Sequence, residues 1–247
     1  MKNIINILIL ILWIPGMGQQ TPANPQEKSI LITNAFLHLG DGSTIANGAL
    51  GFKNGKITSV GTEPNRAEYE VLINAEGKHL YPGFIAMNST LGLVEVDAVR
   101  ATRDEDELGD FLPHIRTAIA YDAESKIVES MRPNGVLVAQ ITPRGGQISG
   151  SSSVMQLDAW NWEDALVKTD EGIHLNWPNP YSRGRWWMGE DPTLKSNKNY
   201  LPSIEKIKTF FENSKVYDLN QKTVHLPYQA MAGLFNGSKT LYLHAED

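Results

Sequence analysis

The sequence predicts an α/β protein in which a small β unit leads into alternating strands and helices. Three observations carry that prediction. From Ser29 to about Leu80 short apolar runs alternate with turn residues; the pair Asn54-Gly55 sits between strand-like residues; and after Pro82 strand-like and helix-like runs take turns. A chain of 247 residues that is 41% hydrophobic and 20% charged can bury a sizeable core, which excludes a disordered protein.

Residues 1–18 carry Lys2, an apolar run over 4–14, then Pro15, Gly16 and small residues, the layout of a secretory signal peptide. The run is about half the ~20 residues needed to span hydrocarbon, so no stable membrane span is expected once the signal is removed. The expected location is periplasmic or extracellular. Residues 19–28, polar and broken by Pro22 and Pro25, read as a linker. The β unit over 29–81 is expected to be antiparallel, with Asn54-Gly55 as a type I′ hairpin turn because both central positions of that turn need positive φ. Beyond Pro82 come a buried strand at Phe84-Ile85, a charged region, a helix near 123–131 and a strand over 136–141 entered through Asn134-Gly135. Ile204, Ile207, Phe210 and Phe211 recur at helical spacing within 201–219, and a strand over 240–244 follows the turn Asn236-Gly237-Ser238. This order predicts β/α units with parallel strands.

The absence of cysteine excludes disulfides, thiolate metal sites and a cysteine nucleophile. With 22 Lys+Arg against 28 Asp+Glu the net charge is −6, and no basic stripe points to nucleic acid. The acid run 104–110 reads as a solvated loop or helix face, with a lid over a site as the functional alternative. Residues 145–153 read as a Gly/Ser connection at the end of a strand; they lack the Gly-Lys-Ser/Thr ending of a phosphate-binding P-loop. Trp160, Trp162, Trp177, Trp186 and Trp187 read as anchors that pack a long loop down, with a stacking pocket as the alternative.

The run Tyr81-Pro82-Gly83-Phe84-Ile85-Ala86-Met87-Asn88-Ser89-Thr90 resembles the amidohydrolase superfamily, and within it the imidazolonepropionase-like exported bacterial members. Gly55-Lys56-Ile57, Gly77, Asn134-Gly135-Val136, Thr142-Pro143-Arg144-Gly145-Gly146 and Leu243-His244-Ala245 follow in the family's order. The resemblance implies an N-terminal β-sandwich portion over 29–81, followed over 82–247 by the first part of a (β/α)8 TIM-type barrel. It also implies a metal-dependent hydrolase acting on C–N bonds of a small-molecule or peptide-like substrate. A zinc or iron ion in such a site would lower the pKa of a bound water. Residues 82–247 number 166, against about 250 for a complete barrel, so the expectation is an incomplete barrel at the front of a longer protein.

The family pattern Asp-x-His-x-His on the first barrel strand reads here as Ala86, Asn88 and Thr90. Residues two apart on a strand share a face, so Asn88 and Thr90 are expected to point together into the pocket, where an amide or hydroxyl oxygen is a poor zinc ligand. His244 matches the family's fifth-strand metal ligand; read alone, a single histidine in an apolar strand is more often a satisfied core residue. His174, with Asn176 on the same face, is a second pocket candidate, and Lys168 a poor candidate for a carboxylated, metal-bridging lysine. No catalytic residue is assigned, no signature of an oligomeric state is present, and two readings of the whole stand. One is a hydrolase of this class whose front fragment is inactive alone, with a divalent metal. The other is a non-catalytic binding or scaffold relative, with no metal in this chain. A weaker third reading is a periplasmic binding module using the Trp-rich loop.

Overall fold

The computed structural model describes residues 22–62, 64–217 and 224–245. The expected signal peptide, the first residues of the linker and Leu219 lie outside them. Within these bounds the chain is a mixed α/β protein built on two five-stranded sheets and a two-stranded ribbon.

The first sheet holds β1 (Ile30–His38), β2 (Thr44–Lys53), β3 (Lys56–Gly61), β4 (Val71–Asn74) and β5 (His79–Leu80). Asn54 and Gly55 both take positive φ, 52° and 69°, and join β2 to β3 as the hairpin expected of that pair. The sheet is not wholly antiparallel, however. β4 and β5 both run parallel to β1, because the chain from β3 crosses back through a 3-10 turn at Arg66–Glu68 before re-entering beside β1. Leu31, Ala35 and Leu37 of β1 and Ala49 of β2 are buried. Linker residue Gln26 is fastened to the hairpin, its Oε1 accepting the Gly55 N–H at 2.8 Å and its Nε2 donating to the Phe52 carbonyl.

The second sheet is curled and runs β12-β9-β8-β7-β6. Its strands are β6 (Phe84–Ser89), β7 (Val136–Ile141), β8 (Ile148–Gln156), β9 (Leu166–Asn176) and β12 (Thr240–His244); the ribbon pairs β10 (Tyr181–Arg183) with β11 (Leu194–Ser196). β6 and β7 are parallel, as are β9 and β12, but β8 runs against both of its neighbours. The expectation of purely parallel strands is corrected there. The reason lies in the run read as a Gly/Ser connection: only Gly145, Gly146 and Gln147 turn the chain, and Ile148 onward is an inner strand. Its serines are buried with their hydroxyls satisfied. Ser149 Oγ donates to Gly145 O at 2.6 Å, Ser151 Oγ to Pro113 O at 2.9 Å and Ser152 Oγ to Glu171 Oε1 at 2.9 Å, while Ser153 Oγ accepts the Asp170 N–H. Small hydroxylated side chains let segment 111–117 lie directly on β8, bridged at Phe111 to Ile148 and Arg116 to Ser151.

Among the described residues five α-helices accompany this sheet: α1 (Thr117–Ala120), α2 (Lys126–Met131), α3 (Trp162–Ala165), α4 (Tyr200–Lys215) and α5 (Leu226–Phe235). The helix expected from 123 starts later because Ser125 caps it, its Oγ accepting the N–H groups of Ile127 and Val128. Val128 packs with Leu93, Tyr121, Ala139, Ile141, Met155, Leu157 and Ala165. A second cluster joins Ile148, Ile173 and Leu175 of the sheet to Ile207 of α4 and Met231 of α5, with Phe210 and Phe211 against it, as their helical spacing predicts.

Three further expectations are corrected. Phe84 and Ile85 are 63% and 64% exposed, because β6 is an edge strand paired only with β7. Of the tryptophans, Trp162 packs against the first cluster but Trp186 and Trp187 are 71% and 67% exposed and touch each other edge to face. The acid run 104–110 is not wholly solvated: Glu105 is buried and takes Arg103 Nε at 2.8 Å. No helix among the described residues is long and apolar enough to cross a membrane.

Candidate active-site mouth

Four strands of the curled sheet, β6, β7, β9 and β12, point the same way, so their carboxyl ends gather at one rim. Asn88 lies at the end of β6, Arg144 three residues past β7, His174 and Asn176 at the end of β9 and His244 at the end of β12.

Beneath this rim one buried polar chain takes a residue from every strand. The Asn88 N–H donates to Gln140 Oε1 at 3.1 Å, and Gln140 Nε2 donates to Glu171 Oε1 at 2.5 Å. Glu171 also accepts from Ser152 Oγ and from the Tyr242 hydroxyl at 3.1 Å. Gln140, Ser152 and Glu171 are buried, and a buried carboxyl group with this many donors is a satisfied one. Burial and the neighbouring Glu171 raise the Tyr242 pKa, so its hydroxyl stays protonated and donating. Tyr242 lies flat across β9 because residue 172 is glycine: a Cβ there would stand 2.3 Å from the ring.

The parallel register sets Tyr242 opposite His174 and His244 opposite Asn176. The His174 ring stacks on Tyr242 at 4.8 Å between centroids, and its Nδ1 meets His244 Nε2 at 2.8 Å. Two imidazoles sharing one hydrogen bond must include a neutral acceptor. His174 is 1% exposed, and burial, then the His244 and Arg144 charges, push its pKa down to about 3. Burial and Arg144 also lower that of His244. Both rings are therefore neutral at pH 7. His174 Nε2 is buried without a partner among the described residues.

Arg144 is held over Asn88. Nη1 donates to Asn88 Oδ1 and Nη2 to Asn88 O, both at 2.7 Å. Asn88 presents those oxygens because its φ is +52°, a left-handed conformation that asparagine tolerates better than most residues. That twist ends the strand pleat, and Thr90 lies one residue beyond β6, its carbonyl accepting the Leu93 N–H. The structure thus brings His174, His244 and Asn88 to one rim, while the alternation expected to carry Thr90 alongside Asn88 is broken. Lys168 is exposed inside β9, not at a strand end. Asn176 Nδ2 ties down the connection before β8, donating to Gly146 O at 2.9 Å and Ser149 Oγ at 3.0 Å.

Sequence reading missed Arg144, Gln140, Glu171 and Tyr242 as members of this mouth. The legible signal is a cation, Arg144, in the run 142–146 directly after a strand, where barrel strands end toward their site. These residues do not fit the divalent metal that the resemblance implies. Among the described residues no three His, Asp or Glu side chains converge as a metal site. The two imidazoles are spent on each other, and the oxygens of Asn88 face a guanidinium, whose charge opposes a second cation.

No protein-family model matches the chain, and no curated protein matches it in sequence. Among solved structures, a prolidase solved with n-methylphosphonate-l-proline aligns at a TM-score of 0.31 and 13% identity, over 45% of this chain and 25% of that one. A triazine hydrolase from Arthobacter aurescens aligns at 0.34 and 12%, over 89% and 46%. An amidohydrolase from Thermotoga maritima matches far better, with a TM-score of 0.71 at 20% identity over 87% of this chain. The match spans 58% of that protein's length, and over that span the two chains share one fold.

Proposed function

We propose that this chain is the front part of an exported hydrolase that cleaves C–N bonds in a small amide, cyclic amide or peptide-like substrate. In this reading 29–81 is the β-sandwich portion and 82–247 the first part of a (β/α)8 barrel. The observation that carries it is the gathering of Asn88, Arg144, His174 and His244 at the carboxyl ends of parallel strands, in a fold shared with an amidohydrolase. Enzymes with (β/α)8 barrels place their chemistry at that end. Export rests on the layout of residues 1–18, and the imidazolonepropionase-like motif order makes a cyclic amide the first substrate to try.

The roles open to these side chains follow from their states. The His174–His244 pair, neutral at pH 7, can take up one proton from substrate or water, and the shared Nδ1–Nε2 hydrogen bond lets either ring carry it. Arg144 orients an anionic or carbonyl oxygen.

The test is amine release by the purified full-length protein across cyclic amides and N-acyl amino acids, read beside His244→Ala. Turnover that falls at least tenfold in the variant is expected. Absence of turnover on every substrate would overturn the hydrolase reading in favour of a non-catalytic relative.

A further inference from the structure

We infer that Arg144 forms a binding site for a small carboxylate at the rim of the curled sheet, one that works without a metal ion. The inference deepens the proposed function, since it names the chemical class the mouth takes, but it rests on a separate set of observations.

The first is the charge balance around the guanidinium. Arg144 makes no ion pair among the described residues. The carboxylate whose field it feels is Glu105, one of whose oxygens is engaged by Arg103 at 2.5 Å while the other has no hydrogen-bond partner among the described residues. Its own backbone N–H is bonded to the Glu105 carbonyl, which fixes residue 144 beside the acid run without neutralising it. A partly buried guanidinium that makes no ion pair loses hydration that a ligand's counter-charge would offset.

The second is hydrogen bonding. Asn88 satisfies two guanidinium N–H donors; the other donors of the fork have no acceptor among the described residues. Both satisfied donors bind neutral oxygens of one residue held by the Asn88–Gln140 bond, so the guanidinium plane is fixed before any ligand arrives. A planar fork of this kind matches a carboxylate.

The third is the neighbourhood. On the sheet side the rim carries the uncharged polar groups of Asn88, Asn176, His174 and His244, and the carboxylate beneath it, Glu171, is engaged by Gln140, Ser152 and Tyr242. Glu105 and Asp106 on the other side set the limit: Asp106 bridges to Arg144 in the backbone and pairs with Arg100 at 3.4 Å. One free cation beside two engaged acids suits a monoanion better than a phosphate dianion.

The experiment is calorimetric titration of the full-length protein with N-acetylglycine and with its neutral analogue N-acetylglycinamide, in EDTA. Saturable binding of the acid, at least tenfold tighter than the amide, is expected. Arg144→Met should abolish the preference. Because that variant also frees Asn88, the sharper probe is Asn88→Asp, which supplies an internal carboxylate to the guanidinium while keeping a residue that tolerates positive φ. It should fold, melt no lower than the parent and bind the acid at least tenfold more weakly. Equal binding of acid and amide, undiminished acid binding by Asn88→Asp, or binding that appears only when zinc is added would each overturn the inference. A protein that binds the acid but cleaves nothing keeps this site and loses the hydrolase reading; one that cleaves neutral amides but ignores the carboxylate does the reverse.

Discussion

At the scale of single residues, two buried groups set measurable costs. Tyr121 is a core residue whose hydroxyl has no partner among the described residues, and burial raises its pKa. A buried unsatisfied hydroxyl costs about 1–3 kcal/mol. Tyr121→Phe removes it at almost constant volume, so the variant should melt above the parent in a thermal scan; a lower midpoint would reveal a hydrogen bond to the hydroxyl. His174 behaves oppositely with pH. The unfolded chain takes up a proton there near pH 6.5, the folded chain only near 3. Between those values the unfolded state holds more protons, so stability falls as pH falls, by about 1.4 kcal/mol per pH unit. Denaturant midpoints of the parent and His174→Gln between pH 7 and 4 should differ in slope, with the variant flatter. Parallel curves would show that residue 174 does not titrate as its burial requires.

At the scale of elements, β9 is the member on which the mouth depends. Ile173 and Leu175 face the helices, and Gly172 and His174, at the alternate positions, receive the ring of Tyr242. Gly172→Ala places a methyl group within the Tyr242 ring, which must swing away from Glu171 and His174. We expect a loss of about 1–3 kcal/mol, the cost of overpacking, together with weaker carboxylate binding. Denaturation and the same calorimetric titration check both; an unchanged affinity would mean that Tyr242 does not support the rim. The sequence shows the strand character of 172–176 and the pairing of His174 with Asn176 on one face. It does not show that β8 runs backwards between β7 and β9, because direction is set by how tightly 145–147 can turn. A stretch of Gly and Ser that looks like a loop becomes an inner strand only when another segment covers it and satisfies its hydroxyls.

At the scale of the whole molecule, β6 and β12 each pair on one side only. Phe84, Ile85 and Met87 of β6, Leu137 beside them, and Leu241 and Leu243 of β12 are exposed. Unpaired edges and contiguous apolar side chains are sites of association. Residues 22–245 expressed alone should therefore self-associate and bind a hydrophobic dye; a monomer by sedimentation that leaves the dye dark would show that these faces are covered in some other way. Metal content belongs to this scale as well. Since the imidazoles of this rim bond to each other, His244→Ala should leave the zinc and iron content of the full-length protein unchanged, and a loss of metal in that variant would restore the ligand role that the resemblance implies.

Local elements are legible in the residues alone: the Asn54-Gly55 hairpin, the strand over 136–141 and the apolar face of α4. These depend on neighbours a few residues apart, through turn conformation and periodicity. What gathers around Asn88 is legible only in the fold. Arg144 and Asn88 lie 56 residues apart, and His174 and His244 lie 70 apart. No spacing rule joins such pairs. They meet because strands that run the same way bring their carboxyl ends to one rim, where a guanidinium without a counter-ion and two neutral imidazoles become neighbours.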